Sequence, residues 1–305
     1  MFRKSMNRGL GAVMLLALGA CNQEGNLFET DRLTGVSGGG NNTPAVLGVW
    51  ETTIIVTVEG DYGIGTITQV DFPGPGVAYG PERYAEMLSK FGLGQRTGVG
   101  LPGESAGLVP PIDQWSGSTF ANLPIGQGLS MTLLQMTSMY QTIANDGVRI
   151  PPRIIKTTIA PDGTQTDEPR PQGVRVVSPQ TAQTVRQMLR ATVQHDPRGD
   201  QQGTGPQAAV DGYQVSGKTG TAQQINPGCG CYYDEVYWIT FAGMAPTDDP
   251  RYVVGIMADN PQRTAEGQRG TTMAPLFHNI MAWLLQRENV PLSPDPGSPL
   301  TLQAT

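Results

Sequence analysis

Histidine, cysteine and lysine are all scarce in this sequence of 305 residues. His195 and His278 are the only histidines and lie in different segments, so neither a Ser-His-Asp triad nor a zinc site has support. A disulfide between Cys229 and Cys231 would span a single glycine and be strained. We therefore interpret these two cysteines as free thiols in a loop rather than as a redox or metal pair. The sequence predicts no metal and no cofactor.

Charge is also sparse. Charged residues make up 15% of the chain, the formal net charge is −6, and no cluster of lysine and arginine occurs. This composition gives no electrostatic reason to expect a nucleic-acid partner. Glycine and proline are abundant instead, at 40 and 25 residues, which favours long loops and short elements over a helical bundle. The length is enough for one large domain or two ordinary ones.

The amino terminus has the layout of a bacterial export signal. A basic start is followed by an apolar run over residues 10–20, which is too short to span a bilayer as a helix. The run ends in Leu18-Gly19-Ala20-Cys21, which resembles the lipobox of bacterial lipoproteins. That resemblance implies that Cys21 is acylated and anchors the chain to a membrane. An ordinary signal peptide is the alternative, and either one predicts a mature chain outside the cytoplasm.

The pattern of apolar residues predicts the remaining organisation. Helices are expected after Pro81, over 132–145, after Ser178 and over 274–288, because apolar residues there recur at helical spacing. Strands are expected within 212–221 and over 236–245 and 252–259. This order predicts an α+β fold, with an antiparallel sheet covered by helices. The predicted divisions are a signal at 1–21, a linker at 22–47, a short β-rich segment at 48–79 and the main domain at 80–305.

The most informative segment is Ser216-Gly217-Lys218-Thr219-Gly220-Thr221, which matches two sequence motifs with different chemistry. Residues 212–219 match the phosphate-binding loop of nucleotide hydrolases. That loop needs a helix directly after it, because the helix amino terminus holds the phosphates. Residues 220–228 contain two glycines and a proline and cannot sustain a helix. Nucleotide binding is therefore the disfavoured interpretation.

The same segment resembles the Lys-Thr-Gly strand of the penicillin-recognising serine enzymes. The resemblance implies that Lys218 and Thr219 act at the catalytic centre, where the ammonium supplies positive charge to the reacting group and to a substrate carboxylate. It also implies that Gly220 and Thr221 bind substrate. The glycine allows a peptide to pair closely with the strand, and the threonine hydroxyls donate to the carboxylate.

Other segments extend this resemblance to about three quarters of the chain. Ile125-Gly126-Gln127-Gly128 and the helix after it, together with Gly80-Pro81-Glu82-Arg83 and Gly100-Leu101-Pro102-Gly103-Glu104, are similar to class B penicillin-binding proteins, the peptidoglycan D,D-transpeptidases. Within that family the similarity is to the actinobacterial cell-division enzymes. It implies a partial penicillin-binding or β-lactamase-like transpeptidase fold over 80–305. The implied partners are peptidoglycan stem peptides, β-lactams and cell-division proteins.

The nucleophile motif of that family is missing. The family uses Ser-x-x-Lys, but none of the four lysines has a serine three residues before it. The only Ser-x-Asn triplet is Ser5-Met6-Asn7, inside the export signal. Ser216 is near Lys218, but its position two residues away on a strand lacks the base-nucleophile geometry. We therefore expect recognition of D-alanyl peptides or β-lactams without acyl transfer.

An alternative is a non-enzymatic, lipid-anchored envelope protein that binds partners through the loops at 94–125 and 196–211. Residues 46–79 are also too few to supply the first half of a transpeptidase domain. The fold is thus expected to lack one helical face and to expose apolar surface.

Overall fold

The computed structural model describes residues 81–116, 119, 122–199, 201–261, 270–295 and 299–300. The predicted signal, linker and β-rich segment, and with them Cys21, lie outside the described residues. The predicted domain boundaries therefore stay a prediction. No helix in the described ranges is both long enough and apolar enough to cross a membrane.

Within the described ranges, four α-helices form where apolar side chains recur at helical spacing. The second helix begins with a capping box, in which the Thr132 side chain accepts from the Gln135 backbone and the Gln135 side chain accepts from the Thr132 backbone. The third begins at Ser178, whose side chain caps the helix ahead of a proline. The helices are α1 Pro81–Lys90, α2 Leu133–Ala144, α3 Pro179–Leu189 and α4 Ala274–Arg287.

Seven strands are assigned among the described residues. Two small antiparallel pairs join β1 to β4 and β2 to β3. The main sheet is antiparallel with the order β5-β6-β7, and Lys218 lies opposite Ala242 in its register. The strands are β1 Val148–Arg149, β2 Thr157–Ile159, β3 Gln165–Asp167, β4 Val174–Arg175, β5 Ser216–Ile225, β6 Tyr232–Ala245 and β7 Tyr252–Asp259.

Helices cover both faces of the main sheet. On one face, α4 packs its Phe277 ring against Phe241 of β6, with ring centroids 4.7 Å apart. On the other face, the Ser216 hydroxyl donates to the Arg186 carbonyl of α3 at 2.7 Å. Phe241 and Phe277 are fully buried, so the core lies between the sheet and its helices. The structure confirms the predicted α+β class with an antiparallel sheet and helices against it.

Two details differ from the sequence expectations. The strand that contains Lys218 is ten residues long rather than short, because pairing with β6 continues through Gln223 and, after an irregularity at Gln224, reaches Ile225. Cys229 and Cys231 form a disulfide at the turn between β5 and β6, so the interpretation as free thiols was wrong.

Candidate functional site

The candidate site lies on β5, at the edge of the main sheet. Successive side chains of a strand alternate between the two faces of its sheet. Ser216 and Lys218 thus share the face toward α3, while Gly217 and Thr219 share the face toward α4. The first five residues of β5 are buried on both sides, and Thr221 is the first that is partly exposed. The predicted site residues therefore begin inside the protein and reach its surface at Thr221.

Lys218 is buried, with only 5% of its surface exposed. Its ammonium donates to the Thr219 carbonyl at 3.2 Å and lies 3.5 Å from the Thr219 hydroxyl oxygen. Burying an ammonium is costly unless polar atoms surround it. These contacts hold the Lys218 ammonium against the backbone of β5, the strand that carries the Lys-Thr-Gly segment.

Thr219 makes a second side-chain contact, outside the strand. Its hydroxyl oxygen lies 2.9 Å from the hydroxyl oxygen of Thr204, in the loop before β5. Either hydroxyl can donate in this pair. The ammonium of Lys218 and the hydroxyls of Thr219 and Thr204 thus form a continuous polar cluster at the start of β5.

Glycine residues allow neighbouring segments of the protein to pack tightly at this cluster. A Cβ atom on Gly217 would lie 2.7 Å from the Ala242 carbonyl oxygen and 2.8 Å from the Phe241 ring. A Cβ atom on Gly205 would lie 2.9 Å from the same ring and 3.2 Å from the Thr219 methyl carbon. These separations are shorter than van der Waals contact, so the glycines keep β5, β6 and the loop together.

The loop that carries Thr204 is organised around Asp196. This carboxylate accepts from the amides of Arg198 at 3.1 Å and Gln201 at 2.9 Å. The hydrogen bond from the Arg198 amide, followed by that from Gln201, holds the pKa of Asp196 below its ordinary value. The loop therefore contains a hydrogen-bonded turn, whose residues 197–199 are exposed.

The structure brings Lys218, Thr219, Gly220 and Thr221 together on one strand. Because Lys218 lies within a strand and no helix follows it, the phosphate-loop interpretation is wrong. Ser216 is fully buried, with its hydroxyl 2.7 Å from the Arg186 carbonyl and 2.8 Å from the Thr247 hydroxyl. That enclosed environment is consistent with the prediction that Ser216 is not a nucleophile. No cluster of His, Cys, Asp and Glu in the described ranges could hold a metal ion.

Sequence reasoning missed Thr204, the residue that completes the polar cluster. Its contact with Thr219 crosses 15 positions in sequence, and no local periodicity reports such a contact. The one available signal was its place between Gly203 and Gly205. Two glycines around a polar residue indicate a close backbone approach.

Comparison with known proteins agrees with this geometry. Residues 61–282 match the family model described as the penicillin binding protein transpeptidase domain. The chain is 80% identical over 226 residues to penicillin-binding protein PbpB of Mycobacterium tuberculosis, covering 74% of this chain and 33% of that protein. It therefore spans about a third of that relative's length.

Two solved structures of penicillin-binding protein 3 from Mycobacterium tuberculosis are also similar. The complex with ampicillin has a TM-score of 0.72 and 71% identity, covering 85% of this chain and 54% of the other. The complex with aztreonam has a TM-score of 0.69 and 78% identity, covering 74% and 50%. Three observations indicate the same family: the fold, the Lys-Thr-Gly strand, and the family match over most of the sequence. This chain belongs to the penicillin-binding protein transpeptidase family.

Proposed function

We propose that this chain recognises D-alanyl peptides of peptidoglycan, and β-lactams that resemble them, at the edge of β5. The observation that carries the proposal is the position of Lys218 and Thr219 on an edge strand, with the ammonium 3.2 Å from the Thr219 carbonyl. An edge strand offers backbone amides and carbonyls to an extended peptide. Lys218 adds the positive charge that a terminal carboxylate requires.

Thr221 extends this surface outward along β5. It is partly exposed, whereas Lys218 and Thr219 are buried. A ligand carboxylate near Thr219 would place the preceding peptide unit along Gly220 and Thr221. The similar structures of penicillin-binding protein 3 hold ampicillin and aztreonam, which supports β-lactams as ligands of this strand.

Recognition by this chain is proposed to be non-covalent. Acyl transfer needs an activated nucleophile within hydrogen-bond reach of a base. No serine stands three residues before any lysine in the 305 residues, and Ser216 is enclosed by Arg186 and Thr247. The proposed role is thus ligand binding in peptidoglycan synthesis and cell division, without transpeptidation by this chain.

A fluorescent penicillin separates covalent from non-covalent binding. We expect no labelled band after a denaturing gel, and a labelled band would reveal a nucleophile that contradicts the proposal. Calorimetry with diacetyl-L-Lys-D-Ala-D-Ala then measures binding directly. Lys218→Met is expected to weaken it by about tenfold or more, because a charge-assisted hydrogen bond is worth about 1.5–3 kcal/mol. Lys90→Met is the matched control, since Lys90 pairs with Glu86 on α1.

The cellular location belongs to the same proposal. We propose that the chain is exported and tied to the outer face of the membrane through an acylated Cys21. Metabolic labelling with palmitate is expected to mark the wild-type protein and not Cys21→Ser. Co-purification of cell-division proteins that persists in Lys218→Met would instead favour a purely structural envelope protein.

A further inference from the structure

The Thr204 hydroxyl lies where it can determine what the Thr219 hydroxyl does. The two oxygens are 2.9 Å apart, and the Lys218 ammonium is 3.5 Å from the Thr219 oxygen. A threonine hydroxyl has one proton to donate and two lone pairs that accept. The direction of the Thr204–Thr219 hydrogen bond therefore decides whether Thr219 keeps its proton for another acceptor.

The two possible directions have different consequences for a bound carboxylate. If Thr219 donated to Thr204, its remaining lone pair would face the ligand and repel a carboxylate. If Thr204 donates, both lone pairs of Thr219 are used, one by Thr204 and one by the Lys218 ammonium. The Thr219 proton is then available to a ligand carboxylate, the arrangement that lysine beside threonine favours.

The backbone around Thr204 is built to hold it in place. The Gly203 amide donates to the Gln194 carbonyl at 2.9 Å, and the Gly205 amide donates to the Thr192 carbonyl at 2.8 Å. Both glycines are buried, while Thr204 is partly exposed. An added Cβ on Gly203 would overlap the carbonyl oxygen of Thr192. A loop fixed on both sides of one residue keeps that residue's side chain in one position.

We infer that Thr204 is a positioning residue: its hydroxyl donates to Thr219, and so directs the Thr219 proton toward the carboxylate of a D-alanyl ligand. The inference rests on the proposed function of β5. It extends the binding site from the strand to the loop before it. It assigns to Thr204 an effect on ligands that have a free carboxylate.

The test compares Thr204→Val with Thr204→Ser. Valine keeps the shape and removes the hydroxyl, while serine keeps the hydroxyl. Calorimetry with diacetyl-L-Lys-D-Ala-D-Ala is expected to show binding about tenfold weaker in Thr204→Val, and close to wild type in Thr204→Ser. The same peptide with a terminal carboxamide is expected to change by less than about twofold, because a neutral group gains less from the Thr219 proton.

Each result has a definite meaning. Equal loss for the acid and the amide in Thr204→Val indicates a general structural effect and overturns the inference. Unchanged binding of the acid in Thr204→Val also overturns it, while leaving the proposed function intact. Absence of binding by the wild-type protein defeats the proposed function itself, and the role of Thr204 with it.

A second measurement needs no ligand. Urea midpoints are compared for Thr204→Val, Thr219→Val and the double variant. If the two hydroxyls bond, the double variant's shift is expected to be smaller than the sum of the single shifts. Additive shifts would show that the hydroxyls do not interact and would overturn the inference. If Thr204→Val does not fold, Thr204→Ala enters the same comparisons.

Discussion

At the scale of single residues, the Glu104 carboxylate fixes the loop that follows α1. It accepts from the Thr97 amide at 2.7 Å, from the Thr97 hydroxyl, and from the Gly98 amide at 3.2 Å. The hydrogen bond from the Thr97 hydroxyl is the main reason why the pKa of Glu104 lies below its ordinary value of 4.5. The folded protein therefore prefers the ionised carboxylate more strongly than the unfolded chain does.

This preference predicts a dependence of stability on pH. A carboxylate with a lowered folded-state pKa stabilises the fold fully above its unfolded pKa, and loses that effect as pH falls through the folded pKa. We expect Glu104→Gln to lower the urea midpoint at pH 7 and to differ little from wild type once pH is well below 4.5. Urea titrations at several pH values measure this. A difference that stays constant with pH would contradict it.

At the scale of elements, the packing of β5 against β6 depends on Gly217. Its substitution by alanine would place a methyl group 2.7 Å from the Ala242 carbonyl oxygen and 2.8 Å from the Phe241 ring. Overpacking of this kind costs about 1–3 kcal/mol. We expect Gly217→Ala to lower the free energy of unfolding by that amount in a urea melt. Gly228→Ala is the matched control, because its new methyl group meets only the Asn226 side chain, at 3.2 Å.

The end of α2 depends on Arg186 from α3. This buried guanidinium donates to the Ile143 carbonyl at 2.9 Å and to the Asp146 carboxylate at 2.8 Å. The last carbonyls of a helix lack partners within it, and a cation there also offsets the helix dipole. We expect Arg186→Met to cost about 2–4 kcal/mol of stability. Asp146→Asn, whose side chain is 63% exposed, is expected to cost less than about 1 kcal/mol.

Individual elements also show which parts of the fold can be predicted from the sequence. The strand over 252–259 and the caps at Thr132 and Ser178 were predictable, because β-branched runs and capping residues act locally. The full length of β5 was not, since Gln223 has little strand preference and pairs only because β6 lies beside it. Thr204 was missed for the same reason: its role arises from a tertiary contact.

At the scale of the whole molecule, apolar side chains remain on the surface near the β2–β3 pair. Ile154 is 62% exposed, Ile155 is 51% exposed and Ile159 is 66% exposed. Single exposed apolar residues are normal, but here three isoleucines are exposed within six positions. An isolated two-stranded pair has little packing of its own to cover them. These exposed isoleucines offer an apolar contact surface, while the exposure expected of an incomplete transpeptidase core stays a prediction.

This surface predicts association that depends on protein concentration. Sedimentation velocity at two protein concentrations is expected to show larger species at the higher one, because apolar contact between copies removes these side chains from water. The double variant Ile154→Thr and Ile159→Thr is expected to reduce them. Its urea midpoint is expected to stay near wild type, since substitutions at exposed positions change stability by about 0.5 kcal/mol or less. Association that persists unchanged in the double variant would place the contact on another part of the molecule.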